Sequence, residues 1–152
     1  MKITFIGHSY VKCEEELKRL VRQVLLSELR GDRVTFYIGG YGRFDQLCAE
    51  VCRDLKEEFL EVELVYVTPY ISLSEQVKIK DYIKSGVYDS SLYPPIENTP
   101  QRFAIIKRNE WMINNSDLII AYIDHTYGGA YRSLTYAIRR KKRIINLSKR
   151  SI

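Results

Sequence analysis

Short, almost continuously apolar segments alternate along the chain with longer segments in which apolar residues recur every three or four positions. The first pattern predicts β-strands covered on both faces, and the second predicts amphipathic α-helices. The predicted strands are residues 2–7, 33–38, 62–67, 117–123 and 143–147. Strands that alternate with helices predict a Rossmann-like, three-layer α/β/α fold with a mainly parallel five-stranded sheet.

Four main helices are predicted between and after these strands. The third is predicted from a cap residue, Thr99, which is followed by Pro100 at the first helical position. Each of the other three shows one apolar stripe at helical spacing. The stripes are Leu17, Leu20, Val21, Val24 and Leu25; Leu47, Cys48, Val51, Cys52, Leu55 and Phe59; and Ala130, Leu134, Ala137 and Ile138.

The segment 68–98 interrupts this alternation. It contains a short helical stretch at 73–84 and then a run rich in tyrosine that ends in Tyr93-Pro94-Pro95-Ile96-Glu97. Connections of this length inside a compact domain usually serve a function. The aromatic residues and the Pro-Pro step favour an ordered loop over a disordered one. We therefore expect a lid or binding loop at 68–98 within a single domain that spans residues 1–152.

Composition fits a small globular protein. Of the 152 residues, 45% are hydrophobic and 28% are charged, and no apolar run approaches the roughly 20 residues of a membrane helix. The first apolar segment is too short for a signal peptide, so a cytoplasmic protein without membrane contact is expected. Cys48 and Cys52 lie on a helical apolar stripe, and His8 and His125 are not spaced to complete a zinc site with them. No metal site and no cofactor are predicted.

The net charge of +5 comes from 24 Lys+Arg against 19 Asp+Glu. Much of the excess lies in the basic stretch, residues 139–143, and Lys149 and Arg150 follow near the end. A basic stretch can bind nucleic acid or acidic lipid. It is equally typical of cations that complement the dipole at a helix end and stay solvated. The charge leaves both interpretations open.

Glycine and polar residues follow three of the predicted strands, and ligands of open parallel sheets bind at that edge. Two separate double-glycine turns lead from a strand into a helix, where free N–H groups can hold a phosphate. Neither turn matches GxGxxG or GxxxxGK[ST], which excludes the standard dinucleotide and P-loop motifs. The two turns together predict a shared pocket. The three segments are Gly7-His8-Ser9-Tyr10, Gly39-Gly40-Tyr41-Gly42-Arg43-Phe44-Asp45 and Asp124-His125-Thr126-Tyr127-Gly128-Gly129-Ala130-Tyr131.

Arg108 and Asn109 are flanked by apolar residues at every helical neighbour position, so both side chains should point into the protein. A buried guanidinium needs an anionic partner. That partner is either a carboxylate, with Asp45, Glu97 and Asp124 as candidates, or a phosphate of the ligand. Both alternatives place the pair beside the pocket.

Twelve tyrosines are a high number for this length, and half of them fall near strand ends or in the long loop. As a group they could form an aromatic wall for a base. His8 and His125 are at the same edge and could act as acid or base, but a lone histidine in a turn is more typical of hydrogen bonding. The six tyrosines are Tyr10, Tyr41, Tyr70, Tyr93, Tyr127 and Tyr131.

Taken together, several of these segments resemble the SLOG superfamily of Rossmann-like domains, which includes the DNA-processing protein Smf/DprA and the "lonely guy" (LOG) phosphoribohydrolases. The chain is most similar to a compact stand-alone branch of bacterial and prophage proteins of unknown function. The resemblance implies a nucleotide-type ligand at the strand ends and often a homodimer. The segments are Ile6-Gly7-His8, residues 39–45, residues 93–97, Arg108-Asn109-Glu110-Trp111-Met112, Ser116-Asp117 and Gly128-Gly129-Ala130.

This sequence departs from the LOG signature at the position of the catalytic glutamate. LOG enzymes cleave the N-glycosidic bond of nucleoside monophosphates, using an Arg-Lys pair on a helix and a GGxGTxxE motif with a catalytic glutamate. Here Arg108 matches the arginine, Asn109 stands at the lysine, and Thr135 stands at the glutamate. Inherited LOG activity is not expected unless Asp45, Glu97 or Asp124 supplies the carboxylate. Asp45 and Glu97 are the candidate catalytic residues.

Three functions follow, in order of preference. The first is a sensor or binding domain for a nucleotide or nucleotide-derived ligand, and the second is a nucleotide N-glycosidase or related hydrolase. The third is DNA binding through the basic stretch, as in the DNA-processing relatives. The expected partners are a nucleotide-like small molecule and a second copy of the chain. The predicted ligand-binding residues are Gly7, His8, Ser9, Gly39, Gly40, Tyr41, Gly42, Asp45, Arg108, Asn109, Gly128, Gly129, Ala130 and Tyr131.

Overall fold

A computed structural model describes residues 1–31, 33–58 and 61–149 of the chain. Phe59, Arg150 and the side chain of Lys149 lie outside the described residues. The strands are β1 (Lys2–Gly7), β2 (Val34–Ile38), β3 (Val62–Val67), β4 (Ser90–Leu92), β5 (Leu118–Tyr122) and β6 (Arg143–Asn146). The helices are α1 (Glu14–Glu28), α2 (Arg43–Lys56), α3 (Leu73–Lys84), α4 (Ala104–Asn114) and α5 (Gly128–Arg139).

All described strands form one parallel sheet in the order β4-β3-β2-β1-β5-β6. The sheet has six strands where the sequence predicts five. The additional strand, β4, lies at the edge, has only three residues and begins Ser90-Ser91. It has no apolar run, so the hydrophobic pattern did not predict it. It is held in place by backbone pairing with β3 and by the Asp89 carboxylate, which accepts from the Leu64 N–H at 2.8 Å.

The alternation of side chains along the strands divides the core between two faces. Ile3 and Phe5 of β1 pack with α1 and α2, together with the cysteine-bearing stripe of α2. Ile6 of β1 and Ile119 of β5 pack on the opposite face against α4 and α5. This confirms the Rossmann-like three-layer α/β/α prediction. No helix in the described part of the chain has both the length and the apolar character needed to cross a bilayer.

Helix α3 and strand β4 together make up about half of the segment 68–98. Helix α3 has the predicted bounds, and the Ser72 hydroxyl caps it by accepting from the Glu75 N–H at 3.4 Å. The rings of Tyr66, Tyr82 and Tyr88 lie 5.1–5.4 Å apart and join this segment to the sheet. None of residues 68–98 lines the cavity described below, so the lid interpretation gains no support.

Two further features position the site. Helix α4 is preceded by a 3₁₀ turn, Gln101–Phe103, so the helix predicted at Thr99-Pro100 begins a few residues later. The chain runs outward from β1 to β4 and then returns to the other side of β1 as β5. The strand order therefore reverses between β1 and β5, and a crevice opens beyond their carboxyl ends.

Candidate ligand-binding site at the strand ends

A cavity of about 850 Å³ lies at this crevice, between the ends of β1 and β5, the start of α2, one face of α4 and the start of α5. Three of the predicted ligand-binding residues, Gly39, Gly40 and Tyr131, are not among the residues that line it. The predicted residues that do line it are Gly7, His8, Ser9, Tyr41, Gly42, Asp45, Arg108, Asn109, Gly128, Gly129 and Ala130.

Close packing explains the glycines on the β1–α2 side of the cavity. A Cβ on Gly7 would lie 2.2 Å from Cδ2 of Phe44, and one on Gly39 would lie 3.0 Å from the guanidinium carbon of Arg108. Gly42 has φ +93°, and its Cβ would lie 2.9 Å from the Ser9 Cα. Gly7 and Gly42 let α2 lie close to β1 and the residues after it, and Gly39 makes room for the Arg108 side chain. These glycines therefore have a packing role that the sequence alone did not indicate.

The second double-glycine turn is open. No described atom lies within 4 Å of a Cβ built on Gly128 or Gly129, and both residues are exposed. They begin α5, and the N-cap residue Tyr127 makes no side-chain capping hydrogen bond. The start of α5 lines the cavity, its N-cap side chain satisfies none of the first N–H groups, and the helix dipole adds partial positive charge there.

Arg108 supplies a full positive charge to the floor of the cavity. Its side chain is 1% exposed. Nη1 donates to the carbonyls of Gly39 at 3.0 Å and Val67 at 2.8 Å, and Nε donates to the amide oxygen of Asn109 at 2.8 Å. Within the described part of the chain, no carboxylate forms an ion pair with Arg108 and nothing accepts from Nη2. The guanidinium thus retains donor capacity at the cavity.

The three carboxylates predicted as partners of Arg108 have different positions. Asp45 lines the same cavity as Arg108 and affects it electrostatically, Asp124 instead contacts His8, and Glu97 is exposed and does not line the cavity. Burial lowers the pKa of Arg108, and Asp45 partly opposes that shift. Burial likewise raises the pKa of the half-buried Asp45 to about 7, against the opposing effects of Arg108 and the backbone N–H groups of Tyr41 and Gly40.

His8 and His125 lie face to face at the mouth of the cavity. Their ring centroids are 3.7 Å apart, and the Tyr127 ring continues the stack at 3.9 Å. His8 Nε2 accepts from the Asp124 N–H at 3.1 Å. The pKa of His8 is lowered mainly by burial and to a smaller extent by His125, while Asp124 partly opposes this shift. Tyr127 is 70% exposed, and the ring side facing away from His125 could receive a base.

Several lining residues were not in the predicted set. Some follow β1 or β5 directly, so their position after a strand is the signal that could have identified them. Ser133 lies one turn into α5, and only the fold brings it to the cavity. The added residues with polar or aromatic side chains are Thr4, Phe5, Tyr10, Lys12, Tyr122, Asp124, His125, Tyr127 and Ser133. Of the tyrosines proposed as an aromatic wall, Tyr10, Tyr41 and Tyr127 line the cavity, and Tyr70, Tyr93 and Tyr131 do not.

The basic stretch 139–143 lies at the opposite edge of the sheet, where α5 ends and β6 begins. Several of its members have local partners. Arg140 donates to the side chain of Asn114, Lys142 donates to the Asn114 and Ser116 carbonyls, and Arg143 pairs with Glu28 at 2.6 Å. Arg139 and Lys141 are exposed. This arrangement fits cations that stabilise the end of a helix.

The fold and the position of the cavity define a Rossmann-like α/β protein with a candidate site at the topological switch point. The solved structures similar to it include two DNA processing proteins A (DprA). The protein from Helicobacter pylori, which binds single-stranded DNA, matches with a TM-score of 0.58 and 16% identity over 95% of this chain. The protein from Streptococcus pneumoniae matches with a TM-score of 0.62 and 13% identity over 94% of this chain.

The comparison with curated sequences also finds a relative at low identity. A UPF0398 protein from Brevibacillus brevis is 22% identical over 129 residues, covering 82% of this chain and 69% of that protein. No protein-family model matches the chain. The chain spans 63% and 48% of the lengths of the two DprA structures, so the likeness to them concerns the fold of one part of those proteins.

Proposed function

We propose that the protein is a SLOG-like domain that binds a nucleotide or nucleotide-derived anion at the strand ends, as a sensor or binding domain. The observation that carries the proposal is Arg108: a guanidinium that lies in the cavity floor, is 1% exposed and has no ion-pair partner among the described carboxylates. A buried charge of this kind is costly unless it is compensated. An anionic ligand would provide that compensation.

Two further features support a nucleotide over a simple anion. The open N-terminus of α5 offers N–H groups to a phosphate, and Tyr127 and Tyr10, at 70% and 75% exposure, offer ring faces to a base. The cavity volume of about 850 Å³ is within the range of small-molecule sites.

A hydrolase acting on the same ligand is the second candidate, and the observation that favours it is Asp45. A carboxyl group with a pKa of about 7 in a ligand cavity can hold or release a proton at neutral pH, as N-glycosidic cleavage requires. Asp45→Asn would then retain ligand binding and lose turnover. Glu97, the other predicted candidate, is exposed outside the cavity lining and has no comparable support.

Binding of single-stranded DNA is the third candidate, and it is favoured by the fold shared with DprA. In this protein the strand-end cavity, with its exposed tyrosines, suits a single strand better than the basic stretch does, because Arg140, Lys142 and Arg143 already have local partners. Affinity would fall as salt is added. A homodimer remains a prediction.

A thermal-shift screen against nucleoside mono-, di- and triphosphates, ADP-ribose, cyclic dinucleotides and oligothymidylate tests these functions together. A ligand that binds the folded state stabilises it by RT ln(1 + [L]/Kd). Each stabilising nucleotide is then incubated with the protein and analysed by chromatography. A shift with intact ligand supports the binding domain, and released base or phosphate supports the hydrolase. The absence of any shift with millimolar nucleotide would overturn the proposal.

A further inference from the structure

Both histidines of the chain, 117 positions apart in sequence, meet at one point of the fold. Asp124 lies beside both rings: its Oδ1 is 3.1 Å from His8 Nε2 and 4.0 Å from His125 Nε2. The three side chains each bring one ligand-type atom to within 4.8 Å of the other two. Two imidazoles and a carboxylate are donors that divalent transition metals prefer.

The strand pairing holds these donors in place. His8 directly follows β1, while Asp124 and His125 follow the end of β5, and the two strands pair in parallel with Gly7 opposite Tyr122. A second observation points to a missing partner. His125 Nδ1 is buried and has no hydrogen-bond partner among the described residues. Buried polar atoms almost always have a partner.

We infer that His8, Asp124 and His125 bind a divalent transition-metal ion of the zinc class, such as Zn²⁺, Co²⁺ or Ni²⁺. Three protein ligands leave at least one coordination position open. Because all three residues line the cavity, the open position is available to a ligand oxygen there. The site uses none of the three free cysteines, and it differs from a cysteine site at Cys48 and Cys52, whose pKa values are raised by burial.

Metal binding requires local rearrangement at both histidines. His8 Nε2 must give up the hydrogen bond that it accepts from the Asp124 N–H at 3.1 Å before its lone pair can bind an ion. The His8 and His125 rings are nearly parallel, with 14° between their planes. One ion cannot lie in the plane of two stacked rings, so the partly exposed His125 ring must turn out of its stack with His8 and Tyr127. The expected sign of binding is therefore a change at both histidines and at Tyr127.

The inference stands on the histidine cluster alone and does not depend on the nucleotide proposal. The test uses the untagged chain of 152 residues and equilibrium dialysis against micromolar Zn²⁺. One ion per chain is expected for wild type and for two controls, Cys13→Ser and the exposed Asp81→Asn. His8→Ala and His125→Ala should each weaken binding by more than tenfold. Equal binding in the histidine variants, or none in wild type, would overturn the site.

A second measurement covers the case in which a histidine variant does not fold. In wild type, ¹H–¹⁵N spectra of the imidazole nitrogens contain signals from only two histidines. Zn²⁺ should shift both sets together and saturate at one equivalent, and Co²⁺ should broaden both. A shift of one histidine alone, or of neither, would contradict a shared site. Neither measurement uses a nucleotide, so failure of the nucleotide proposal would leave this result unaffected.

Discussion

A buried guanidinium whose hydrogen bonds go to neutral oxygens keeps its full positive charge inside the protein. Arg108 is in this situation, with Gly39, Val67 and Asn109 as its acceptors. Its contacts to two strand ends also give it a structural role, so a change at Arg108 should affect both folding and binding.

Arg108→Met tests that double role. We expect nucleotide affinity to fall by at least tenfold, which corresponds to about 1.4 kcal/mol, because the charged donor is lost. The free energy of unfolding should change less than for a typical truncation of a buried side chain. The loss of a donor to two carbonyls destabilises the folded state, but the removal of an uncompensated buried charge stabilises it. Calorimetric titration and denaturant unfolding measure the two effects. Arg140→Met is the control, and equal affinity in both variants would contradict the assignment.

Asp45 makes stability depend on pH in a direction opposite to that of a salt-bridged carboxylate. Its pKa of about 7 in the folded protein exceeds the ordinary 3.8, so the folded state holds a proton that the unfolded chain releases. The free energy of unfolding therefore decreases as pH rises from about 4 to 7. At about 1.4 kcal/mol per pKa unit, this shift of about three units corresponds to a cost of about 4 kcal/mol above pH 7.

Asp45→Asn should remove this pH dependence and be more stable than wild type at pH 8, because the amide stays neutral. The exposed Asp54→Asn is the control and should follow wild type. Urea unfolding at pH 5 and pH 8 measures the difference. Anion affinity should also increase as pH falls through 7 in wild type, because protonation removes a negative charge beside Arg108. A pH profile unchanged by Asp45→Asn would refute the raised pKa.

At the scale of elements, the start of α5 is the part of the site that can be changed without loss of packing. Gly129→Glu places a carboxylate at the helix N-terminus, where it is favourable for the helix and faces no neighbour within 4 Å. The melting temperature without ligand should be maintained or raised, and the shift caused by nucleotide should be lost. Gly129→Ala is the matched control and should still bind. Full binding by Gly129→Glu would exclude a phosphate at this helix.

At the contact of β1 with α2, in contrast, we expect substitution of a glycine to destabilise the protein. A Cβ on Gly7 would lie 2.2 Å from the Phe44 ring, so Gly7→Ala forces α2 or the ring to move. We expect a loss of about 1–3 kcal/mol of stability in chemical unfolding. Gly129→Ala adds the same methyl group to open space and should be nearly neutral or slightly stabilising. Equal stability of the two variants would show that Gly7 is not a packing requirement.

These two glycines illustrate what the sequence could and could not provide. Apolar periodicity identified five strands, and it placed α3 at its observed bounds. It missed β4, because that strand is held by backbone pairing and has no apolar run. Glycine spacing pointed to the edge of the sheet at which the cavity lies. It could not separate Gly7, which accommodates Phe44, from Gly129, which faces open space, because the difference depends on contacts between distant segments.

The same limit applies to the histidine cluster. His8 and His125 each follow a strand, but only the pairing of β1 with β5 brings them together. Arg108 was predicted to be buried from its apolar helical neighbours, and it is. That its bonds would go to carbonyls and not to a carboxylate depended on the positions of β2 and β3, which local sequence does not encode.

At the scale of the whole molecule, the cavity and the basic stretch are at opposite ends of α5, separated by a helix of 12 residues and about 18 Å. Neutralising Arg139 and Lys141 together, as Arg139→Gln and Lys141→Gln, should therefore leave nucleotide affinity within about twofold of wild type at physiological salt, where screening is strong over that distance. Calorimetric titration measures it, with Gly129→Glu as the positive control. A large loss of nucleotide affinity in the double variant would indicate that the binding site lies at the other edge of the sheet.

The most direct test of the central claim is a heteronuclear NMR titration of the ¹⁵N-labelled protein with nucleoside mono- and diphosphates, ADP-ribose and oligothymidylate. The account predicts the largest shifts at the amides of Gly128 and Gly129, at the Arg108 side chain and around Tyr10, with residues 139–143 unchanged. The absence of shifts at the strand ends, or shifts centred on residues 139–143, would contradict it.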